Sequence, residues 1–160
     1  MKTVIVYYSQ SNNTRSAAEL LKEKVQASCV ELKEVRRGNG LQAFFHTQTK
    51  LLEDPWAEAK DADRLYLMLP IWAGRSVPAM NAFLRDPKAT FQNKEVIIIT
   101  FQASKKLKHS ARVHDYVGSY VRKGGGVVKE TYALVGGTMN VFIGDELIRK
   151  RMEEVRWDTL

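Results

Sequence analysis

Cysteine occurs once among the 160 residues, at Cys29, so neither an internal disulfide nor a thiolate-rich metal or iron–sulfur centre can be built from this chain. That thiol is expected to be buried and inert. No apolar run approaches the roughly 20 residues that a membrane-spanning helix needs, and the stretch after Met1-Lys2-Thr3 is too short for a secretory leader. The expected compartment is the cytoplasm. Gly and Pro are not in excess, and no repeat or low-complexity tract appears, so a disordered or fibrous chain is not indicated. Several catalytic signatures are missing too. There is no G-x-x-x-x-G-K-[ST], which excludes a P-loop NTPase, no G-x-G-x-x-G for a dinucleotide site, and no G-x-S-x-G elbow for a hydrolase. His46, His109 and His114 have no Ser or Cys partner fixed by spacing and are expected to be surface or packing residues.

Acidic residues are in the minority: 25 Lys and Arg stand against 18 Asp and Glu, a formal net charge of +7. This bears on partners rather than on fold. The basic residues are spread along the chain without an RNP motif, a zinc finger or an aromatic-interleaved basic run, which argues against nucleic-acid binding.

With 44% hydrophobic and 27% charged residues, the chain has the composition and size of one globular domain covering residues 1–160. Its pattern alternates strands and helices. Thr3 to Tyr8 is a β-branched and aromatic run ending in a Ser/Asn cluster, and Thr14 to Gln26 is an amphipathic helix for which Thr14 is the expected cap. Val30 to Val35 reads as a strand near a sheet edge, and Leu41 to Glu53 as a helix of weaker periodicity. Leu65 to Ile71 and Glu95 to Phe101 are nearly continuous apolar runs, the mark of strands covered on both faces. A helix is expected from Pro78 to before Pro87, another from His109 to Lys123, a strand over Val127 to Val135, and a last helix from Asp145 to Val155. This alternation predicts an α/β fold, an open doubly wound five-stranded parallel sheet with helices on both faces. The chain is too short for the eight units of a (β/α)8 barrel.

Ligands of such sheets bind outside the carboxyl ends of the strands, so three loops matter most: Ser9 to Thr14, Trp72 to Val77 and Gln102 to Lys106. The first, Ser9-Gln10-Ser11-Asn12-Asn13-Thr14, supplies hydroxyls and amides and runs into a helix N-terminus, which favours a phosphate held without metal or Lys. Simple capping and turning of the chain is the alternative. The second, Pro70-Ile71-Trp72-Ala73-Gly74-Arg75, places a Trp at the mouth of a strand, where an exposed indole would offer a flat surface to a heteroaromatic ring; a Trp that merely covers the sheet end is the other reading.

At these two loops the sequence resembles the flavodoxin family, whose phosphate loop reads approximately (S/T)-x-(S/T)-G-(N/x)-T and whose second signature is Pro-(I/V)-Trp-x-Gly-Arg. The basic turn and apolar residues of Arg36 to Lys50 look like a small flavodoxin-like branch. The resemblance implies strand order 2-1-3-4-5 and non-covalent FMN, with its phosphate on residues 9 to 14. It places the isoalloxazine ring between the loops at Trp72 and Phe101 and a redox-sensitive peptide at Ala73-Gly74, beside Pro70 and Ile71. Gln102 and Ser104, with Ala103, would meet the pyrimidine edge. Three features depart from the family. Asn12 replaces the usual Gly, although Asn tolerates left-handed φ. The third loop, Phe101-Gln102-Ala103-Ser104-Lys105-Lys106, is not Gly-rich, and the chain is basic where flavodoxin carriers are usually acidic.

The expected function is therefore an FMN-dependent redox protein, engaged either in electron transfer or in NAD(P)H-linked reduction of a small acceptor. Lys105, Lys106, Lys108, His109 and Arg112 would flank the flavin edge and steer an acidic redox partner protein or nicotinamide phosphates. The competing expectation is a flavodoxin-fold module that has lost flavin and recognises a protein partner.

Overall fold

The computed structural model describes residues 1–138 and 140–157, apart from the side chain of Leu107. Along the chain run β1 (Thr3–Tyr7), α1 (Asn13–Val25), β2 (Ser28–Glu31), α2 (Gly40–Phe44), α3 (Trp56–Ala59), β3 (Arg64–Pro70), α4 (Pro78–Leu84), β4 (Glu95–Gln102), α5 (Leu107–Lys123), β5 (Val127–Val135) and α6 (Asp145–Met152). The strands form one five-stranded sheet in the order β2-β1-β3-β4-β5, and every pairing is parallel. All strand C-termini therefore lie at one edge.

Alternation along the strands divides the core in two. Val4, Val6, Leu65, Leu67, Leu69, Val96 and Ile98 face α3, α4 and α5, whereas Ile5, Tyr7, Tyr66, Met68, Ile97, Ile99 and Phe101 face α1 and α6. The continuous apolar runs of β3 and β4 follow from this, because both of their faces are covered.

The region from residue 26 to residue 60 departs from the pattern read in the sequence. β2 occupies Ser28–Glu31 rather than Val30 to Val35, since its parallel register with β1 sets Ser28 opposite Val4 and Glu31 opposite Tyr7. The chain beyond it turns away, and Glu34 pairs antiparallel with Leu51 instead. That pairing also ends the expected helix over 41–53 early. A capping box between Asn39 and Gln42 starts α2, but Thr47 N bonds back to Gln42 O at 2.8 Å, His46 adopts φ 53°, and the chain then extends toward Leu51. The helical spacing of Leu41, Phe44 and Phe45 marks an exposed face, not a core face. α3 was not anticipated; its Trp56 is buried, stacked on Phe83 at 4.4 Å, and donates Nε1–H to Phe83 O at 2.9 Å.

Candidate functional site

The loop after β1 enters α1 through Asn12, at φ 67° and ψ −5°, so the position where Gly is usual adopts the left-handed conformation that Asn tolerates. Asn12, not Thr14, occupies the N-cap, and it makes no side-chain capping bond; its Oδ1 accepts instead from Arg15 Nη1 on the exposed side. Thr14 is buried within the first turn. Ser9 Oγ accepts from Arg15 N at 3.1 Å, which keeps the loop curled over the helix start.

Asn13 ties this loop to the connection after β5. Its Nδ2 donates to Gly136 O and Val141 O, both at 2.7 Å, and to Ser11 Oγ at 3.1 Å, while its Oδ1 accepts from Ile143 N at 2.9 Å. Gln10 Nε2 donates to Asn140 Oδ1, which also accepts from Arg37 Nη2 at 2.9 Å. Gln10 Oε1 is buried without a hydrogen-bond partner.

After β3, Trp72 N and Arg75 O bond at 3.1 Å and Arg75 N and Trp72 O at 2.8 Å, with Ala73 at φ 48° and Gly74 at φ 69°. Two successive positive φ angles make this a tight two-residue turn of the type that fits a twisted strand pair. The expected exposed indole is not found: Trp72 is 3% exposed and meets Tyr8 edge to face at 5.6 Å. The reason is tertiary. Tyr8 Oη donates to Glu34 Oε1 at 2.7 Å, and Glu34 Oε2 accepts from Gly38 N at 3.1 Å and from Thr49 Oγ1, so the segment after β2 holds the Tyr8 ring against the indole. Burial and the Glu34 bond push the Tyr8 phenol well above its ordinary range. His109 lies against the turn from the other side, for a Cβ on Gly74 would stand 2.5 Å from its Nδ1.

After β4, Phe101 is buried and Gln102 is 5% exposed, with neither its Oε1 nor its Nε2 hydrogen-bonded. Ala103 and Ser104 are exposed, and Ser104 Oγ accepts from Lys106 N at 3.1 Å.

Gln10, Ser11, Asn13, Thr14, Pro70, Ile71, Trp72, Phe101 and Ala103 come together around one crevice of about 50 Å³ at the C-terminal edge. Trp72 and Phe101 belong to the cores on opposite faces of the sheet, so the crevice lies over the sheet end between them. Ser9, Asn12, Ala73, Gly74, Gln102 and Ser104 do not line it. Gly136, Gly137 and Thr138 do, and sequence reasoning did not assign them to the site. The signal was present: a Gly pair directly after the last strand, at the same edge. Gly136 is needed there because a Cβ would stand 2.8 Å from Phe101 Cδ1.

Among the described residues no ionisable side chain lines the crevice, which offers amides, hydroxyls and apolar surface. Among the described residues no cluster of three His, Cys, Asp or Glu could hold a metal. Cys29 is half-buried rather than buried as expected, and burial first of all pushes its thiol up to about 11. His114 packs with its Nε2 2.9 Å from Thr100 Oγ1, and His46 stacks on Tyr116 at 4.6 Å.

No protein-family model and no curated protein matches the chain. Solved structures do. A putative flavoprotein from Bacteroides uniformis is 18% identical with a TM-score of 0.68, over 95% of this chain and 97% of that one. A flavodoxin, WrbA-like protein from Agrobacterium tumefaciens is 19% identical with a TM-score of 0.64, over 94% and 98% of the two chains. A flavoprotein from Lactobacillus acidophilus, solved in complex with FMN, is 18% identical with a TM-score of 0.62, over 82% and 92%. With a parallel sheet in the order 2-1-3-4-5 and this likeness, the chain has the flavodoxin-like fold.

Proposed function

We propose that this protein binds FMN at the C-terminal edge of its sheet and acts as a redox protein. The observation that carries the reading is a matched pair of unsatisfied polar features. At one side, the left-handed Asn12 turn opens onto the N-terminus of α1, where Asn12 gives no side-chain capping bond and Ser9 Oγ holds the Arg15 N–H; at the other, Gln102 is buried with both amide atoms unbonded. A helix start favours a phosphate, and a buried carboxamide without partners favours a ligand that both donates and accepts, as a flavin pyrimidine edge does. The residues present thus fit FMN: Ser9 to Thr14 for the phosphate, and Gln102 with the Ala73-Gly74 turn for the ring. When bound, FMN supplies one- and two-electron chemistry, and the protein supplies position and restricted solvent access.

The electrons come from a redox partner protein or from NAD(P)H, and the exposed Lys105, Lys106 and Lys108 beside the third loop favour an anionic donor or acceptor in either case. A cytoplasmic location belongs to the same reading; no described helix is long and apolar enough to cross a membrane.

Two observations favour the second reading, a module without flavin. The crevice of about 50 Å³ is far below the ~300–1,000 Å³ of ordinary small-molecule sites, and His109 rests on Gly74. FMN binding therefore requires the crevice to widen. The visible spectrum of the purified protein and its titration with FMN decide between the two. Yellow protein, or saturable quenching of FMN fluorescence, supports the redox reading; colourless protein that ignores FMN supports the module. If flavin is bound, its reduction by NADPH in the absence of other proteins separates the reductase from the carrier.

A further inference from the structure

α2 turns Leu41, Phe44 and Phe45 to solvent, 69%, 48% and 69% exposed, while its opposite face buries Ala43. The spacing i, i+3, i+4 places the three on one face, and the rings of Phe44 and Phe45 meet edge to face at 5.2 Å. This ridge is held in place. The Asn39–Gln42 capping box fixes its start, and Asn81 Nδ2 donates to Thr47 O at 2.9 Å just beyond its end. It also adjoins the crevice rim, because the Arg75 guanidinium lies over the Phe44 ring at 5.2 Å and donates Nη1–H to Gly74 O at 3.2 Å. A fixed group of exposed large apolar side chains marks an interaction surface.

The charge around it selects the partner. The connections that leave the C-terminal ends of the strands carry Lys33, Arg36, Arg37, Arg75, Lys105 and Lys106, and their one carboxylate, Glu34, is turned inward onto Tyr8, Gly38 and Thr49. A second copy would set these cations against themselves across a two-fold axis, on a chain already at +7. A nucleic-acid strand needs open aromatic faces for its bases, whereas here the two rings are at 89° to one another and Arg75 covers one of them. Aromatic anchors with Arg beside them are the composition of protein interface centres.

We propose that the outward face of α2, with Arg75 against it and Arg36 and Arg37 on the connection that leads into it, docks an acidic protein and brings that partner's redox centre to the mouth of the crevice. The redox purpose rests on the FMN reading; the docking surface does not.

Cytochrome b5, an acidic haem protein, serves as the probe, with basic cytochrome c as its counterpart, each titrated at low salt into the isotope-labelled, FMN-loaded protein while backbone amide signals are followed. Expected are shifts confined to residues 36–45 and the turn at 75 with cytochrome b5 alone, suppressed by salt, and weakened about tenfold in Phe44→Ser/Phe45→Ser and in Arg36→Glu. Both substitutions lie at exposed positions, and an unchanged amide spectrum elsewhere verifies that they fold. The proposal is overturned by equal binding of cytochrome c, by shifts centred on 105–112, by displacement of cytochrome b5 by a single-stranded oligonucleotide, by self-association through α2, or by no binding. Repeating the titration without FMN keeps the two readings apart: a protein that takes up no flavin yet shows the α2 shifts refutes the flavin and retains the surface.

Discussion

Tyr8, just beyond the first strand, donates its phenol proton to Glu34 Oε1 at 2.7 Å, and this bond couples the ring that meets Trp72 to the segment after β2. Tyr8 thus does two things: its hydroxyl anchors the residue 34–49 segment, and its ring fixes the indole edge to face. Tyr8→Phe keeps the ring contact and removes one donor from the carboxylate. It is expected to cost about 1.5–3 kcal/mol, the usual worth of a hydrogen bond to a charged group, measured by urea denaturation. No loss would mean that Glu34 is equally well served by Gly38 N and Thr49.

Asn13 joins the loop after β1 to the β5–α6 connection with three hydrogen bonds and braces the loop itself with a fourth, to Ser11 Oγ. Asn13→Ala leaves Gly136 O, Val141 O and Ile143 N without that partner, a loss of about 2–4 kcal/mol in stability from unsatisfied groups. On the proposed FMN reading, affinity for FMN should fall at least about tenfold, since the loop proposed to hold the phosphate is no longer fixed. Fluorescence titration with FMN checks the second effect and denaturation the first.

Ala73 and Gly74 both sit at positive φ, yet only one of them is glycine. Ala73→Gly should stabilise the protein by up to about 1 kcal/mol, because the left-handed penalty of alanine outweighs the entropy that glycine loses. Gly74→Ala should destabilise it by about 1–2 kcal/mol or more, combining the same penalty with contact against His109 Nδ1. The opposite signs are read from paired midpoints in urea; the same sign for both would refute this account of the turn.

Burial holds the His114 imidazole below its ordinary range of about 6.5, and burial with Arg75 and Arg85 does the same to His46. The unfolded chain therefore binds more protons than the folded one as pH falls below that value. The stabilisation is complete above the unfolded pKa and is lost as pH falls toward the depressed folded value. Unfolding free energy is expected to be flat between about pH 7 and 8, below the range where the Cys29 thiol ionises, and to decline from pH 7 to 5. His114→Gln should reduce the slope without abolishing it, since His46 remains; an unchanged slope would show that His114 is protonated freely in the folded state.

The parallel sheet was legible because its physics is local and periodic. β5 appears over Val127–Val135 as read, and β3, β4 and the helix starting at Pro78 lie within a residue or two of their expected places. The stretch from Gln26 to Lys60 was not legible. β2 is placed by its register with β1, α2 is cut short by the Glu34–Leu51 pairing, and Trp56 finds its stack on Phe83 across the fold. None of these partners is near in sequence.

For the candidate site, the sequence alone determined its edge and most of its lining: Gln10, Ser11, Asn13 and Thr14 from one loop, and Pro70 to Trp72 from another. It also determined that Asn12 could take the left-handed turn, because short polar side chains tolerate that conformation. Only the tertiary structure decided that Trp72 is covered by Tyr8, that Gly136 to Thr138 complete the crevice, and that Leu41, Phe44 and Phe45 face water. The reason is that helical spacing and an apolar side chain state a preference for burial, but whether a face is covered depends on which distant segment reaches it first.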